Sequence, residues 1–483
     1  MEPVFPFPVS LPRSRGKLAH ELHQQLRAAI LDGRLPAHSP LPATRKVAEA
    51  LGVARNTVVT VYDLLIAEGY LIPHKGAKPQ VAEFARRRPS KPPRAGIDES
   101  RFAPVWRTPF MAPSPARVLP ERNFRLGIPD HRHFPHEVWR RLMAQTLRKS
   151  SREPFAYAPS QGIPALREAI AQHVAFARAV ACAADDVIVT SGAQQAFDLI
   201  ARVLVTPGRT IVAVENPGYP PFRTALAANG AKVVPVQVDA EGLVVDSIPR
   251  EARIVYVTPS HQFPLGCAMS ARRRAALLDF AAAHGAVVVE DDYDGEFRFG
   301  GRPLDALQTL DRAACVFYVG TFSKSLFPSI RLGYVVAPPW AQRALIAAKR
   351  DADWHSPVIE QDTLAAFIAE GHMARHVRRM RAVYAARRET LLKHLTDAFG
   401  EWLEPIPSIA GLHLSAFASP SADVPALMDL ARRHDVGMFA LRGLYVGAAA
   451  RQGFAFGYGA IDERAIAEAF ARLRKIWPGR LAG

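Results

Sequence analysis

What constrains this chain most is an interruption: from Arg86 to Pro120 the sequence carries eight prolines in 35 residues with little periodic hydrophobicity, which predicts an extended linker. A chain broken in this way folds as separate units, and 483 residues at 49% hydrophobic content are too many for one compact core. The expected organisation is a head over residues 1–83, the linker over 84–120 and a large unit over 121–483. Before the linker, apolar residues recur at helical spacing. Leu18, Leu22, Leu26 and Ile30 form one stripe; Val47, Ala50 and Leu51 a short second; Val58, Val61, Tyr62, Leu65 and Ile66 a third. After the linker the grain changes to apolar strand-like runs at 187–190, 210–215, 253–258, 286–292 and 316–321, alternating with helical stretches such as 272–284. That alternation predicts an α/β unit with a mostly parallel sheet covered by helices on both faces.

Charge and cysteine content narrow the function classes. The formal charge is +16, and residues 1–120 hold 18 Lys+Arg against 9 Asp+Glu, so the head and linker are the basic end. An excess of this kind suits a polyanion such as nucleic acid, although solvated arginine-rich faces are also common. Cys182, Cys267 and Cys315 lie far apart and form no CxxC, so a disulfide framework and a cysteine metal site are not expected. No run approaches the roughly 18 consecutive apolar residues of a membrane helix. Met1 to Pro12, with three prolines before Val9 and no basic start leading into an apolar segment, does not read as a signal peptide, and a cytoplasmic location is expected.

Gly52 lies in the short turn between the second and third helical patterns, where a helix-turn-helix requires a small residue. The third helix then opens with Arg55, Asn56 and Thr57, types that read base edges and phosphates from the first turn of a recognition helix. Beyond Gly69 the sequence predicts two short strands around a basic tip with Lys75, Gly76 and Lys78, a wing suited to adjacent phosphates. The alternative is a three-helix bundle that docks another protein. The series Leu22, Gln25, Leu26, Ile30, Gly33, Leu35, then Leu41, Pro42, Arg45, then Leu51, Gly52, Val53, Arg55, Thr57, Val58, Tyr62, Leu65, Glu68, Gly69, Tyr70 and Leu71 resembles the winged helix-turn-helix of the GntR superfamily. The resemblance implies that Arg45, Arg55, Asn56, Thr57 and the wing at Gly76 approach double-stranded DNA. Ala43 and Lys78 depart from that family's usual serine and second wing glycine.

In the large unit the chemistry-bearing residues follow apolar strands. Asp291 and Tyr293 come after one, and Thr321, Ser323, Lys324 and Arg331 after another, so all belong near the ligand crevice at the carboxyl ends of an open sheet. A lysine beside hydroxyl and guanidinium donors, with a carboxylate close by, suits pyridoxal phosphate: the amine forms a Schiff base and the carboxylate partners the pyridinium nitrogen. Ser191, Gly192, Ala193 and Gln194 sit at a strand-to-helix turn whose free amides and dipole hold phosphates. Tyr219 offers an aromatic face and Tyr157 a hydroxyl, although either residue also fits ordinary packing.

Together these residues resemble the fold type I aminotransferases. Joined to the GntR-like head, the chain resembles the MocR family of transcription regulators. The resemblance implies that Lys324 carries the cofactor, Asp291 partners its ring nitrogen, and Tyr293 donates to its phenolic oxygen. It further implies that Ser191, Gly192, Ala193, Thr321, Ser323 and Arg331 hold the phosphate, that Tyr157 reaches it from the second subunit of a homodimer, and that an amino compound is the effector. Two departures stand out: Phe263 replaces the usual asparagine donor, and Ala455 replaces the usual carboxylate-clamping arginine, for which Arg223 and Arg442 are candidate substitutes. A promoter-binding regulator with weak or partial aminotransferase chemistry is therefore expected. The alternatives are a turning-over transaminase with an accessory basic head and a DNA binder without cofactor.

Overall fold

The computed structural model describes residues 4–11, 17–74, 76–83, 99–102, 106, 119–152, 156–300 and 305–477. It divides into two compact units, Met1–Arg101 and Phe102–Gly483. Most of the proline-rich stretch lies outside the described residues, as does Lys75 at the expected wing tip.

The head comprises α1 (Leu18–Leu31), α2 (Thr44–Leu51), α3 (Arg55–Ala67) and a two-stranded antiparallel wing, β1 (Leu71–Ile72) and β2 (Gln80–Val81), with Leu71 opposite Val81. Gly52 closes α2 in the left-handed conformation at φ 65°, which lets the chain reverse into α3. Leu22, Leu26 and Ile30 of α1 pack on Val58, Val61, Tyr62 and Leu65 of α3, as their spacing predicts. On α2 the buried residues are Val47 and Ala48, whereas the expected Ala50 faces solvent, because the short helix turns a different edge toward α3. Phe5 and Phe7, with ring centroids 5.6 Å apart, complete this core from the amino-terminal segment.

The large unit is organised on an eight-stranded sheet. After β3 (Arg122–Asn123), its strands are β4 (Val187–Thr190), β5 (Ile211–Asn216), β6 (Lys232–Asp239), β7 (Gly242–Leu243), β8 (Ala252–Val257), β9 (Val287–Asp292), β10 (Val316–Thr321) and β11 (Gly333–Val336). They lie in the order β4-β11-β10-β9-β8-β5-β6-β7. The central strands β10, β9, β8, β5 and β6 run parallel, while β11 is antiparallel to both of its neighbours. Alternate residues serve opposite faces. Ile188, Val214, Tyr256, Val289 and Phe317 pack under helices Ala193–Leu204, Pro220–Ala228 and Pro339–Asp353, and Val189, Val255, Val288 and Tyr318 pack on the other side. Burial on both faces explains why these strands read as unbroken apolar runs.

A smaller antiparallel sheet follows the long helix His372–Phe399. It is built from β12 (Leu403–Pro405), β13 (His413–Ala418), β15 (Phe439–Ala440) and β16 (Gly453–Gly457), in the order β12-β13-β16-β15; β14 (Val436–Gly437) pairs with β3 instead. None of the described helices is long and apolar enough to cross a membrane.

One buried ion pair fastens the segment after β3 to the long helix and to the turn after β16. Arg387, in the long helix, donates to Asp130 Oδ2 at 2.6 Å and to the carbonyl of Gly459 at 2.5 Å, and the Tyr384 hydroxyl lies 2.9 Å from the Asp130 amide. Burial alone would raise the Asp130 pKa, but bonds from Arg387 and from the amide and ring of His133 outweigh it and hold the carboxyl down at about 2. A depressed folded-state pKa stabilises above the unfolded value and is lost as pH falls. Acid titration of stability should therefore show about 2 kcal/mol disappearing between roughly pH 4 and pH 2. Arg387→Met leaves Asp130 Oδ2 buried without its ion-pair partner, and should cost about 3–5 kcal/mol in denaturant unfolding at pH 7.

Candidate functional site

On the head, Arg55 is the first residue of α3, with Asn56 exposed beside it and Thr57 half-buried. Arg45 is exposed on α2, and Gly76 turns the wing at φ 75°. The structure thus presents these residues on the surface, with the buried face of α3 occupied by Val58, Val61, Tyr62 and Leu65.

In the large unit a cleft of about 310 Å³ opens where strands β4, β5, β8, β9 and β10 end. Of the expected residues, Ala193, Gln194, Tyr219, Asp291, Tyr293, Thr321, Ser323, Lys324 and Arg331 all line it. They come from loops far apart in sequence and meet because parallel strands deliver their carboxyl ends to one edge.

Lys324 is largely buried. Its Nζ donates to the carbonyl of Gly127 at 2.8 Å, and a Cβ at position 127 would stand 2.6 Å from that nitrogen. Burial lowers the amine's pKa, opposed by Asp294 and Asp291 and assisted by Arg331. Asp291 accepts from the Tyr256 hydroxyl at 2.6 Å through Oδ2, while Oδ1 is buried with no hydrogen-bond partner. Burial raises this carboxyl to about 7, with Tyr256 opposing and the Asp292 and Asp294 charges adding to the rise. A bare carboxylate oxygen inside a cleft is costly unless a donor meets it there. The Tyr293 hydroxyl donates to the His261 carbonyl at 3.0 Å and lies 2.9 Å from His261 Nδ1, which is itself 3.0 Å from Asp294 Oδ2.

An anion cup forms at the other end. Gly192, at φ 77°, leads into helix Ala193–Leu204, and a Cβ there would come within 2.7 Å of Arg331 Nη2. Arg331 adopts a left-handed backbone at φ 49°, and its guanidinium donates to the Ser191 carbonyl at 2.7 Å. Thr321 Oγ1 and Ser323 Oγ lie 3.1 Å apart beneath it. Ser191 sits at the rim with its hydroxyl turned to Asp353 at 3.4 Å.

Three expected residues are not brought in. Tyr157 is 77% exposed and packs on Trp354, with centroids 4.8 Å apart. Arg223 donates to the Leu444 carbonyl at 2.9 Å, and Arg442 is exposed on the turn Leu441–Leu444; neither lines the cleft. Conversely, Leu126, Gly127, Phe263, Asp294, Leu412 and His413 line it. Of these only Phe263 was singled out in the sequence. The others had weak signals at best, such as a glycine-proline turn at 127–129 and an acidic residue directly after Tyr293.

The orphaned oxygen has a measurable consequence. Because the Asp291 pKa is raised in the folded state, ionising it costs stability as pH climbs from about 4 to about 7. Ligand-free Asp291→Asn protein should therefore melt higher than wild type at pH 8, with the gap shrinking toward pH 4 in a calorimetric pH series.

Comparison with known proteins gives these residues a family. Residues 123–460 match the model of the aminotransferase class I and II family, and residues 18–77 match that of the gntR family of bacterial regulatory proteins. The chain is 38% identical over 466 residues to the probable rhizopine catabolism regulatory protein MocR of Rhizobium meliloti, covering 95% of this chain and 93% of that protein. It is 31% identical to the pyridoxine biosynthesis transcriptional regulator PdxR of Corynebacterium glutamicum, over 94% of this chain and 95% of that one. Among solved structures, the kynurenine aminotransferase of Pyrococcus horikoshii superimposes with a TM-score of 0.72 at 26% identity, over 79% of this chain and 97% of that chain. Class I and II aminotransferases are a pyridoxal-phosphate-dependent family, and a gntR-type head is a DNA-binding module. The chain belongs to the aminotransferase class I and II family and, with its GntR-type head, is a transcription regulator of the MocR type.

Proposed function

We propose that this regulator holds pyridoxal 5'-phosphate in the cleft at Lys324 and uses the cleft's response to an amino compound to set promoter binding by its head. The observation that carries this reading is the unpartnered, buried Asp291 Oδ1 in the same cleft as the Lys324 amine and the Arg331 cup. When bound, the cofactor supplies an aldehyde that captures primary amines and an electron-withdrawing ring. Lys324 provides the attachment amine, and its lowered pKa keeps more of it neutral and nucleophilic. Asp291 Oδ1 would accept the ring N–H. Ala193 and Gln194 at the helix start, Thr321, Ser323 and Arg331 hold the phosphate, with Ser191 and Gly192 shaping the cup. Tyr219 would offer its aromatic face to the ring, and the Tyr293 hydroxyl would turn from the His261 carbonyl to donate to the phenolic oxygen. Tyr157, projecting from its own unit, is suited to reach the cup of a second subunit, so the functional form is a homodimer.

DNA recognition falls to Arg55, Asn56 and Thr57 at the start of α3, with Arg45 and the wing around Lys75 and Gly76 on the backbone. An effector acts by favouring one arrangement of the two heads over another, since a ligand with equal affinity for both shifts nothing. The full-length match to regulators favours this role over a housekeeping transaminase, and Phe263 and Ala455 withhold two groups that a fast transaminase employs. Sustained release of a carbonyl product from amines at several turnovers per second would favour the enzyme instead.

Adding the cofactor to purified chain should produce a visible absorbance band. Lys324→Ala should abolish both that band and the effect of amines on DNA affinity; an undiminished amine response in the variant would refute covalent sensing. Arg55→Ala should leave folding intact and weaken promoter binding by about 1–3 kcal/mol, read in a fluorescence titration at fixed salt.

A further inference from the structure

This inference rests on the cofactor-binding reading above and concerns the other wall of the cleft, where the body of an incoming amine must lie. That wall is formed by Leu126, Phe263, Leu412 and His413. His413 and Ser415 share one face of β13, and both donate to the Pro264 carbonyl, at 2.9 and 2.7 Å, which pins the Phe263–Pro264 segment against the small sheet. The Phe263 ring meets His413 at 5.6 Å and Tyr219 at 5.6 Å between centroids, so the surface it offers is aromatic. With Nε2 spent on Pro264, neutral His413 has only a lone pair left to offer.

Ala455 on β16 pairs with Ser415 and is fully buried among Leu265, Cys267, Leu441 and Tyr445. Arg331 is the single arginine among the described residues lining the cleft, and it is fastened to Ser191 at the opposite end. Arg223 is engaged with Leu444. The cleft lining also contains two carboxylates, Asp291 and Asp294. Burial and the neighbouring His261 push the His413 pKa well below its usual range, so the imidazole stays uncharged. A carboxylate placed here would face the His413 acceptor, aromatic carbon and the Asp294 carboxylate, with no guanidinium on this wall to repay its desolvation.

We propose that the effector is a primary amine whose body bears no anionic group, carrying hydroxyl or apolar substituents in place of a carboxylate, sulfonate or phosphate. A hydroxyl can donate to the His413 lone pair while its carbon frame packs on Phe263 and the two leucines. Ala455 then acts as a specificity determinant by keeping the arginine out.

The test uses the full-length chain loaded with pyridoxal 5'-phosphate and three matched pairs: ethanolamine with glycine, alaninol with alanine, and leucinol with leucine. The visible band and the promoter affinity are followed in each titration. In every pair the alcohol is expected to half-saturate the spectral change at a concentration at least about ten-fold below that of the acid. Acids acting as well as alcohols, or no response from either member, overturns the inference while leaving cofactor binding standing. Failure of any visible band to form removes the underlying reading instead. Ala455→Arg should shift the preference toward the acids by restoring a guanidinium; if that buried substitution does not fold, the wild-type pairs decide alone.

Discussion

Four consecutive residues, Asp291 to Asp294, carry three carboxylates into the interior across the end of β9, and much of the large unit is arranged around compensating them. Each is held from a different direction. Tyr256 on β8 binds Asp291, Arg178 and Tyr318 bind Asp292 at 2.5 and 2.6 Å, and Asp294 receives the His261 ring and the amide of Leu412. The loop is therefore fixed by the sheet, by helix Pro164–Arg178 and by the small sheet together, and Tyr293 within it has little freedom. Among the buried side-chain oxygens of the described residues that line the cleft, Asp291 Oδ1 is the one left without a partner.

That arrangement trades stability for readiness. Burial lifts Asp291, Glu215 and Glu290 each to about 7, so the sheet edge stores ionisation cost that a cationic ligand can relieve. Glu215 and Glu290 are already satisfied by protein, the first by Thr258 and Gln262 and the second by the amides of Leu307 and Gln308. Asp291 differs from them in having an unused oxygen. The same logic sets Lys324, whose amine is parked on the Gly127 carbonyl and depressed by burial, in a state ready to be released to a better partner.

How far this was legible in the sequence follows from which interactions are local. Strands β4, β5, β8, β9 and β10 were readable because both their faces are buried and their ends carry the polar residues. Strands β6 and β11 were not: the first is half-exposed and interrupted by Pro235, and the second is short and runs against its neighbours. Lys324, Asp291 and the Gly192 turn were recognisable because strand-end position and residue type coincide. Gly127, 197 residues from Lys324, and His413, 149 residues from Pro264, had no such cue, since their roles exist only once two distant segments pack. The same holds for Phe5 and Phe7, whose apolar character was plain but whose docking site was not.

The two departures at Phe263 and Ala455 gain meaning from their placement. Treated separately, each looks like the loss of a polar group from an enzyme. In the fold they lie on the same side of the cleft, Phe263 lining it and Ala455 paired in the sheet with Ser415, which anchors the Phe263–Pro264 segment. Changed together, they give a wall that is internally satisfied, with His413 and Ser415 bonded to Pro264 and Ala455 sealed among apolar neighbours. Asp291, Lys324 and Arg331 line the same cleft from other strand ends, so the charged residues and this internally satisfied wall are supplied by separate segments of the chain, as expected where a site is carried on a shared fold.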